Sequence, residues 1–525
     1  MRQYIYLLLI ALVLIVPFAL RRAAGSKAAV TDASAQRLIV ITPNNQDIRN
    51  EFGRAFDAWH QRIYGAAVAV DWRSVGGTND VKRYLQTTFS GQLDSDGKLK
   101  PDATAGVDVV WGGGDFFFNH DLKPLGILAP MPDDASFRKL LHEVFPEPSL
   151  AGVNLLDVSK DAAGKPLPPQ WVGTCLSSFG IIYNPGLYAK NALDLPPPQT
   201  WADLANPRLF GYVALADPTH SGSAAVAYMM VLQRAMADAE NDLFRAQPAL
   251  KTLPKADLAK LPAYNQALAA GFKKGMGQLL LIAANARYFA DSATQVPDDV
   301  GNGEAAAGTA IDFYGRVYEE TVGPDRLRFV LPQAATAITP DPVAILRGAP
   351  HAELARHFVE YLLSPEGQRL WDLKPGTPGG PVARALRRLP VRRDVYGSSS
   401  ADRVNWSDPG INSFEAAGGF NQRGEWMKPF TELLQIWAAA WIDSRDELRS
   451  SYARILAVPD AQRREQLIAE FADLPITLAE VDAIVKEHKA RADAREDVEV
   501  WRARKRIELA NRFRAHYRAV AAKAG

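Results

Sequence analysis

Residues 212–224 read YVALADPTHSGSA, and the reading of this stretch decides the fold class. Tyr212 to Leu215 is a short apolar run with the pattern of a buried strand. Asp217, Pro218 and Thr219 turn the chain, and Ser221-Gly222-Ser223 opens an apolar helix from Ala224. The same succession recurs nearer the N-terminus. Arg37 to Thr42 (RLIVIT) reads as a strand, Asn44 to Gln46 as a polar loop, and Phe52, Phe56 and Trp59 then fall at helical spacing. Val68 to Trp72 is a second strand, after which Ser74-Val75-Gly76-Gly77-Thr78 opens a helix carrying Val81, Tyr84 and Leu85. Val107 to Trp111 is a third, running into Gly112-Gly113-Gly114-Asp115. Strand, glycine-bearing turn and helix in repetition predict an α/β fold on mostly parallel sheets.

The stretch 212–224 belongs to a second series that starts at Gly180–Tyr183 (GIIY), beyond the Pro-rich segment Lys165–Gln170. Ala305–Phe313, Leu327–Leu331 and Val343–Leu346 supply further strands. Thr200 with Asp203, and Ser364 with Pro365, mark helix starts. KPGTPGGP at 374–381 is a loop or a boundary. After Tyr396 the chain turns helical and more charged. Trp426, Phe430, Trp437 and Trp441 cluster in one segment, and Thr477 with Glu480 forms a capping box. From Lys486 onward 12 basic residues face six acidic ones, which suits either an anionic lipid surface or a solvated helix face.

With 525 residues the chain holds about three to four domains on a soft prior of roughly 150 residues each. Apolar residues at 47% and charged residues at 23% exclude wholesale disorder, a coiled-coil rod and a polytopic membrane protein. Sixty Lys and Arg balance 59 Asp and Glu, so nothing asks for nucleic acid as a partner. The single cysteine, Cys175, rules out an intrachain disulfide and a cysteine metal cluster, and reads as a small buried apolar residue. Tyr4–Leu20 is a 17-residue apolar run after Arg2 and before Arg21 and Arg22. It is a long signal-peptide core or a short membrane anchor, with Ala33-Ser34-Ala35 as a cleavage site in the first case. Either way the body lies outside the cytoplasm.

The turns Ser74–Thr78, Gly112–Asp115 and Thr219–Ser223 carry the candidate chemistry. A helix N-terminus leaves about four N–H groups unpaired and bears a partial positive charge, so such turns can hold an anion. Three of them over two α/β series suggest a cleft between two lobes. The sequence contains no G-x-x-x-x-G-K-[ST], G-x-S-x-G or H-E-x-x-H motif. A hydrolase using His220 with Ser221 or Ser223 is the enzyme alternative, though adjacent residues rarely reach nucleophile–base geometry.

Taken in order, SVGGTNDV, VDVVWGGG, FGIIYNPGLY, TWADLANPRLFGYVALADPTHSGSA, VGNGEAAAGTAIDFYG, PDPVAILRGAPH and FVEYLLSPEGQRLW resemble the extracellular (periplasmic) solute-binding proteins of ABC importers. The branch they resemble is the ferric-iron, thiamine, phosphonate and sugar-phosphate type, over about residues 37–395. The resemblance implies a two-lobe periplasmic-binding-protein fold with a ligand cleft, a non-enzymatic role and a permease partner. It places the first lobe at 36–176, completed by about 338–395, and the second at 177–337. Residues 396–525 form a helical extension outside the family pattern, and 1–22 the signal peptide or anchor. The implied ligand residues are Asn45, Ser74, Gly77, Thr78, Gly113 and Gly114, then Thr219, Ser221, Gly222, Ser223, Asp312 and Tyr314. Iron-binding members use a tyrosine pair late in the second lobe and often a histidine after the first strand. Here Asp312-Phe313-Tyr314 stands at the pair and Asp47 near the histidine. Asp47, Asp312 and Tyr314 are therefore the metal candidates, with ferric iron as one ligand option and no cofactor required. An organic anion contacting Tyr314 is the other. The expected state is a monomer that delivers its solute to an ABC permease; a membrane-tethered sensor of the same fold is the alternative.

Overall fold

The structure is a computed structural model that describes residues 35–525 apart from Gln333, Ser398, Ser399 and Arg495; the apolar run Tyr4–Leu20 lies outside the described residues. Its strands in chain order are β1 (Gln36–Ile41), β2 (Val68–Arg73), β3 (Val109–Trp111), β4 (Ser149–Leu150), β5 (Val153–Asn154), β6 (Val172–Ser177), β7 (Phe179–Tyr183), β8 (Val213–Ala216), β9 (Ala286–Ala290), β10 (Ala307–Ile311), β11 (Arg328–Val330), β12 (Thr339–Ile345) and β13 (Leu389–Pro390). The first large sheet has the order β13-β6-β12-β3-β1-β2 and the second β11-β7-β10-β8-β9, while β4 and β5 pair as a separate two-stranded ribbon. The chain passes from the first to the second at Ser178, between β6 and β7, and returns between β11 and β12.

The sheets are mixed rather than mostly parallel. Parallel pairing holds for β2-β1-β3 and for β9-β8-β10. The crossing strands break it: β12 runs antiparallel to β3 and β6, and β7 antiparallel to β10 and β11. A strand that returns from the other sheet needs no helical crossover, so it is free to run the opposite way.

Alternation along β1 covers both faces of the first sheet. Leu38 and Val40 pack with α1 (Gln46–Tyr64), whose Ile48, Phe52, Phe56 and His60 recur every four residues. Ile41 packs on the other face with Val81, Leu85 and Phe89 of α2 (Thr78–Ser90). Around the second sheet stand α3 (Gly222–Ala246), α4 (Pro262–Ala284) and α5 (Asp312–Val322). Cys175 on β6 is fully buried, and that burial pushes its thiol up.

The C-terminal extension builds α6 (Phe430–Trp437), α7 (Arg445–Leu456), α8 (Ala461–Ala472), α9 (Leu478–Asp493) and α10 (Val498–Ala522). It starts against the first sheet, where Trp406 bridges Leu373 and Gln422 N–H donates to Ala151 O at 2.9 Å. It then crosses, with Arg423 N–H donating to Gln233 Oε1 of α3 at 3.0 Å. Trp437 and Trp441 stack 5.6 Å apart and both meet Tyr228 of α3 edge-on, while Trp437 Nε1 donates to Met276 Sδ of α4 at 3.3 Å. The extension and the second sheet thus share one core. Several cations of the basic tail are met by carboxylates: Arg506 by Asp443, Arg512 by Glu480, Arg518 by Glu447 and Lys523 by Glu470. Phe513, Tyr517 and Val520 of the same helix are buried. That segment is a packed helix with a solvated, paired face. Among the described residues no helix is long and apolar enough to cross a membrane.

Candidate functional site

Between the two sheets lies a cleft of about 670 Å³. Asn45 caps α1, its Oδ1 accepting Ile48 N–H at 3.0 Å, and lines the cleft. Gly77 and Thr78 line it from the start of α2, where Asp80 Oδ2 accepts Gly77 N–H at 3.0 Å. Across the cleft stand Thr219, Ser221, Gly222 and Ser223, at the start of α3. Ser221 is the N-cap of α3, and its Oγ lies 3.3 Å from Ser223 Oγ. Asn79 Nδ2 donates to Thr219 O at 2.8 Å, so the two helix starts are tied together over the cleft. Helix geometry leaves the first N–H groups of both helices without intrahelical acceptors. Thr219, by contrast, is engaged: its N–H and Oγ1 donate to Asp217 Oδ1 at 2.7 and 2.6 Å.

The glycine turn after β3 lines the cleft too, but its donors are already used. Gly113 and Gly114 N–H donate to Asp341 Oδ1 at 2.6 and 2.8 Å, and Gly112 N–H to Pro342 O at 2.8 Å. Successive N–H groups form an anion-binding concavity, and here the protein's own carboxylate fills it. At Gly113 φ is 111°, and a Cβ would lie 2.8 Å from the Phe117 ring and 3.0 Å from Thr78 Cγ2. Asp341 Oδ2 accepts from Arg388, which is buried, also donates to Ser177 Oγ at 2.9 Å and lies over the Phe313 ring at 4.4 Å. Among the described residues, Arg388 Nε and Asn44 Nδ2 are buried without a hydrogen-bond partner beside this cleft wall.

Three of the sequence candidates are not at the cleft wall. Ser74 is exposed, because β2 ends at Arg73 and α2 begins only at Thr78, leaving Ser74 outside the cap. Asp47 sits in the first turn of α1, where Asn44, Asn45 and Ile48 are the lining residues instead. Asp312 is buried, its Oδ2 accepting Ser178 N–H at 2.9 Å and Ser178 Oγ at 2.8 Å, so it braces the crossing between the sheets. Burial pushes its carboxyl up, with Arg316 opposing. Tyr314 does line the cleft, and burial pushes its phenol up. The three metal candidates are therefore not assembled at one point of the wall. Among the described residues no group of three or more His, Cys, Asp or Glu is placed to hold a metal ion.

Arg388 and Asp341 escaped the sequence reading. Arg388 stands in an arginine-rich loop with no motif. Asp341 did carry a signal: Pro340-Asp341-Pro342 inside a strand marks an irregularity, and the register of β12 shifts between Asp341 and Pro342. Asp115 also lines the cleft, and burial together with the nearby Asp341 pushes its carboxyl up to about 6. His220 has Asp291 Oδ1 as its hydrogen-bond partner at 3.2 Å, while Ser221 Oγ accepts Ala224 N–H.

Residues 172–373 match the family model described as bacterial extracellular solute-binding protein. The phosphoglycerate transport regulatory protein PgtC of Salmonella typhimurium is 27% identical over 220 residues, 41% of this chain and 45% of that protein. The match thus spans a little under half of the relative's length. Among solved structures, the periplasmic binding protein AfuA from Actinobacillus pleuropneumoniae with fructose-6-phosphate bound is 16% identical, with a TM-score of 0.48 over 78% of this chain and 99% of that one. Iron-bound HitA from Pseudomonas aeruginosa is 16% identical, with a TM-score of 0.47 over 76% and 97%. Through residues 172–373 the chain is similar to the bacterial extracellular solute-binding proteins.

Proposed function

We propose that the chain is an extracytoplasmic solute-binding protein that captures a small organic anion between its two sheets and delivers it to an ABC permease, without catalysing a reaction. The observation that carries this reading is the convergence of two helix starts, those of α2 and α3, on one cleft. Each contributes free N–H groups and a partial positive charge of about half an elementary unit, and Thr78, Ser221 and Ser223 add hydroxyls. A volume of about 670 Å³ suits an organic solute, since ligand pockets run to roughly 300–1,000 Å³. The relative named for phosphoglycerate transport supports a phosphorylated or carboxylated solute. A ligand touching both helix starts stabilises the closed arrangement that a permease would recognise.

The relative's name also describes a regulatory protein, which favours a second reading: a ligand sensor of the same fold, tethered through residues 4–20. Native mass spectrometry of the purified protein, followed by thermal shift with 3-phosphoglycerate, inorganic phosphate and ferric citrate, tests the ligand class. An organic adduct or a shift with 3-phosphoglycerate is expected. A ferric adduct lost in Tyr314→Phe would replace the anion reading with an iron one. Turnover of a phosphoester that vanishes in Ser221→Ala would establish a hydrolase instead. Coupling to a permease ATPase separates transport from sensing.

A further inference from the structure

We propose that the C-terminal extension completes the ligand cleft, and that Phe430 and Leu434 of α6 are specificity-determining residues that select a solute with an apolar body attached to its anionic head. The proposal rests on the anion-cleft reading and adds to it a wall built from outside the region of family resemblance.

Phe430 and Leu434 line the same cleft as the starts of α2 and α3. They are four residues apart on α6, so they share one helix face. Phe430 is buried and meets Phe116, from the glycine turn after β3, edge-on at 4.3 Å. Phe116 in turn stacks on His120 at 4.2 Å. Leu434 is only half-buried, which leaves it within reach of a ligand. The rest of α6 is fixed: Leu433, Ile436 and Trp437 are buried in the core shared with α3 and α4. This wall is therefore anchored in the core of the second sheet, and its contact with Phe116 joins it to the glycine turn of the first.

The opposing chemistry makes the selection. The hydroxyls of Thr78, Ser221 and Ser223 and the first N–H groups of the two helices offer hydrogen bonds, whereas the side chains of Phe116, Phe430 and Leu434 offer none. A bare oxyanion would leave most of about 670 Å³ to water, about 20 molecules at roughly 30 Å³ each. An apolar body against Phe430 and Leu434 displaces that water from a surface that cannot bond to it.

The test is calorimetric titration of the full chain with inorganic phosphate, 3-phosphoglycerate and phenyl phosphate. The unsubstituted protein should bind phenyl phosphate more tightly than inorganic phosphate. Leu434→Ala should weaken phenyl phosphate about fivefold, with inorganic phosphate changed less than about twofold. Leu434→Trp should fill the wall and weaken phenyl phosphate more than about tenfold. Phe430→Leu, which keeps an apolar side chain in the core, should act in the direction of Leu434→Ala. Equal changes for all three probes, or none, would overturn the wall while leaving the anion reading intact, provided Ser223→Ala still weakens every probe. Failure of all three probes to bind the unsubstituted protein would overturn the anion reading and the wall with it.

Discussion

Replacing Arg388 by methionine keeps a long apolar stem and removes the charge that holds the cleft wall together. Arg388 is 3% exposed and pairs with Asp341, the carboxylate that organises the glycine turn. The variant loses a charge-assisted hydrogen bond worth about 1.5–3 kcal/mol. It also loses a cation–ring contact with Phe313 worth about 0.5–2 kcal/mol. Asp341 then stays buried with no cation beside it, and breaking a buried pair from one side costs about 3–5 kcal/mol. Because Gly113 and Gly114 N–H still donate to Asp341, the lower end applies, and a loss of about 3 kcal/mol is expected in urea unfolding. Adding Asp341→Asn to that variant removes the stranded charge and should recover about 1–2 kcal/mol, so the pair is strongly non-additive. A loss below about 1 kcal/mol in Arg388→Met, or a double variant no more stable than the single one, would refute the claim that this pair organises the wall.

Ser221→Ala with Thr78→Ala should weaken 3-phosphoglycerate binding by about 1–3 kcal/mol, measured by titration, with an unchanged circular-dichroism spectrum. Asp115 holds its proton to about pH 6 in the folded protein against an ordinary value of 3.8, so between those values the folded state binds the extra proton and stability falls as pH rises. Above that window its charge opposes an anion, so Asp115→Asn should tighten binding about fivefold or more at pH 7.5 and little at pH 5, with both proteins titrated at each pH. Gly113→Ala, forced to φ 111° with a Cβ 2.8 Å from Phe117, should lower stability by about 1–3 kcal/mol in the same urea assay. A chain ending at residue 395 exposes the core that Tyr228 and Met276 share with Trp437 and Trp441, and should be recovered insoluble while the full chain is soluble.

What the sequence determined by itself is local and periodic. Alternation in RLIVIT and the four-residue spacing in α1 and α2 follow from the 2.0 and 3.6 residue repeats, which any reader of the chain can apply. Caps at Thr200, Ser364 and Thr477 are legible because a helix start needs an acceptor within three residues. The turns at Gly77–Thr78 and Thr219–Ser223 were legible as cleft candidates for the same reason, and both line the cleft. Tertiary structure alone decided which of their donors are free. Asp341 lies 228 residues from Gly113 and fills the nest that the glycine turn forms. Asp312, adjacent in sequence to a cleft residue, instead faces Ser178, 134 residues away, because the crossing between sheets needs a partner for that backbone. Phe430 reaches Phe116 only because α6 is anchored in the core of the second sheet. Such pairings are made by burial and charge between elements distant in the chain, and no local repeat encodes them.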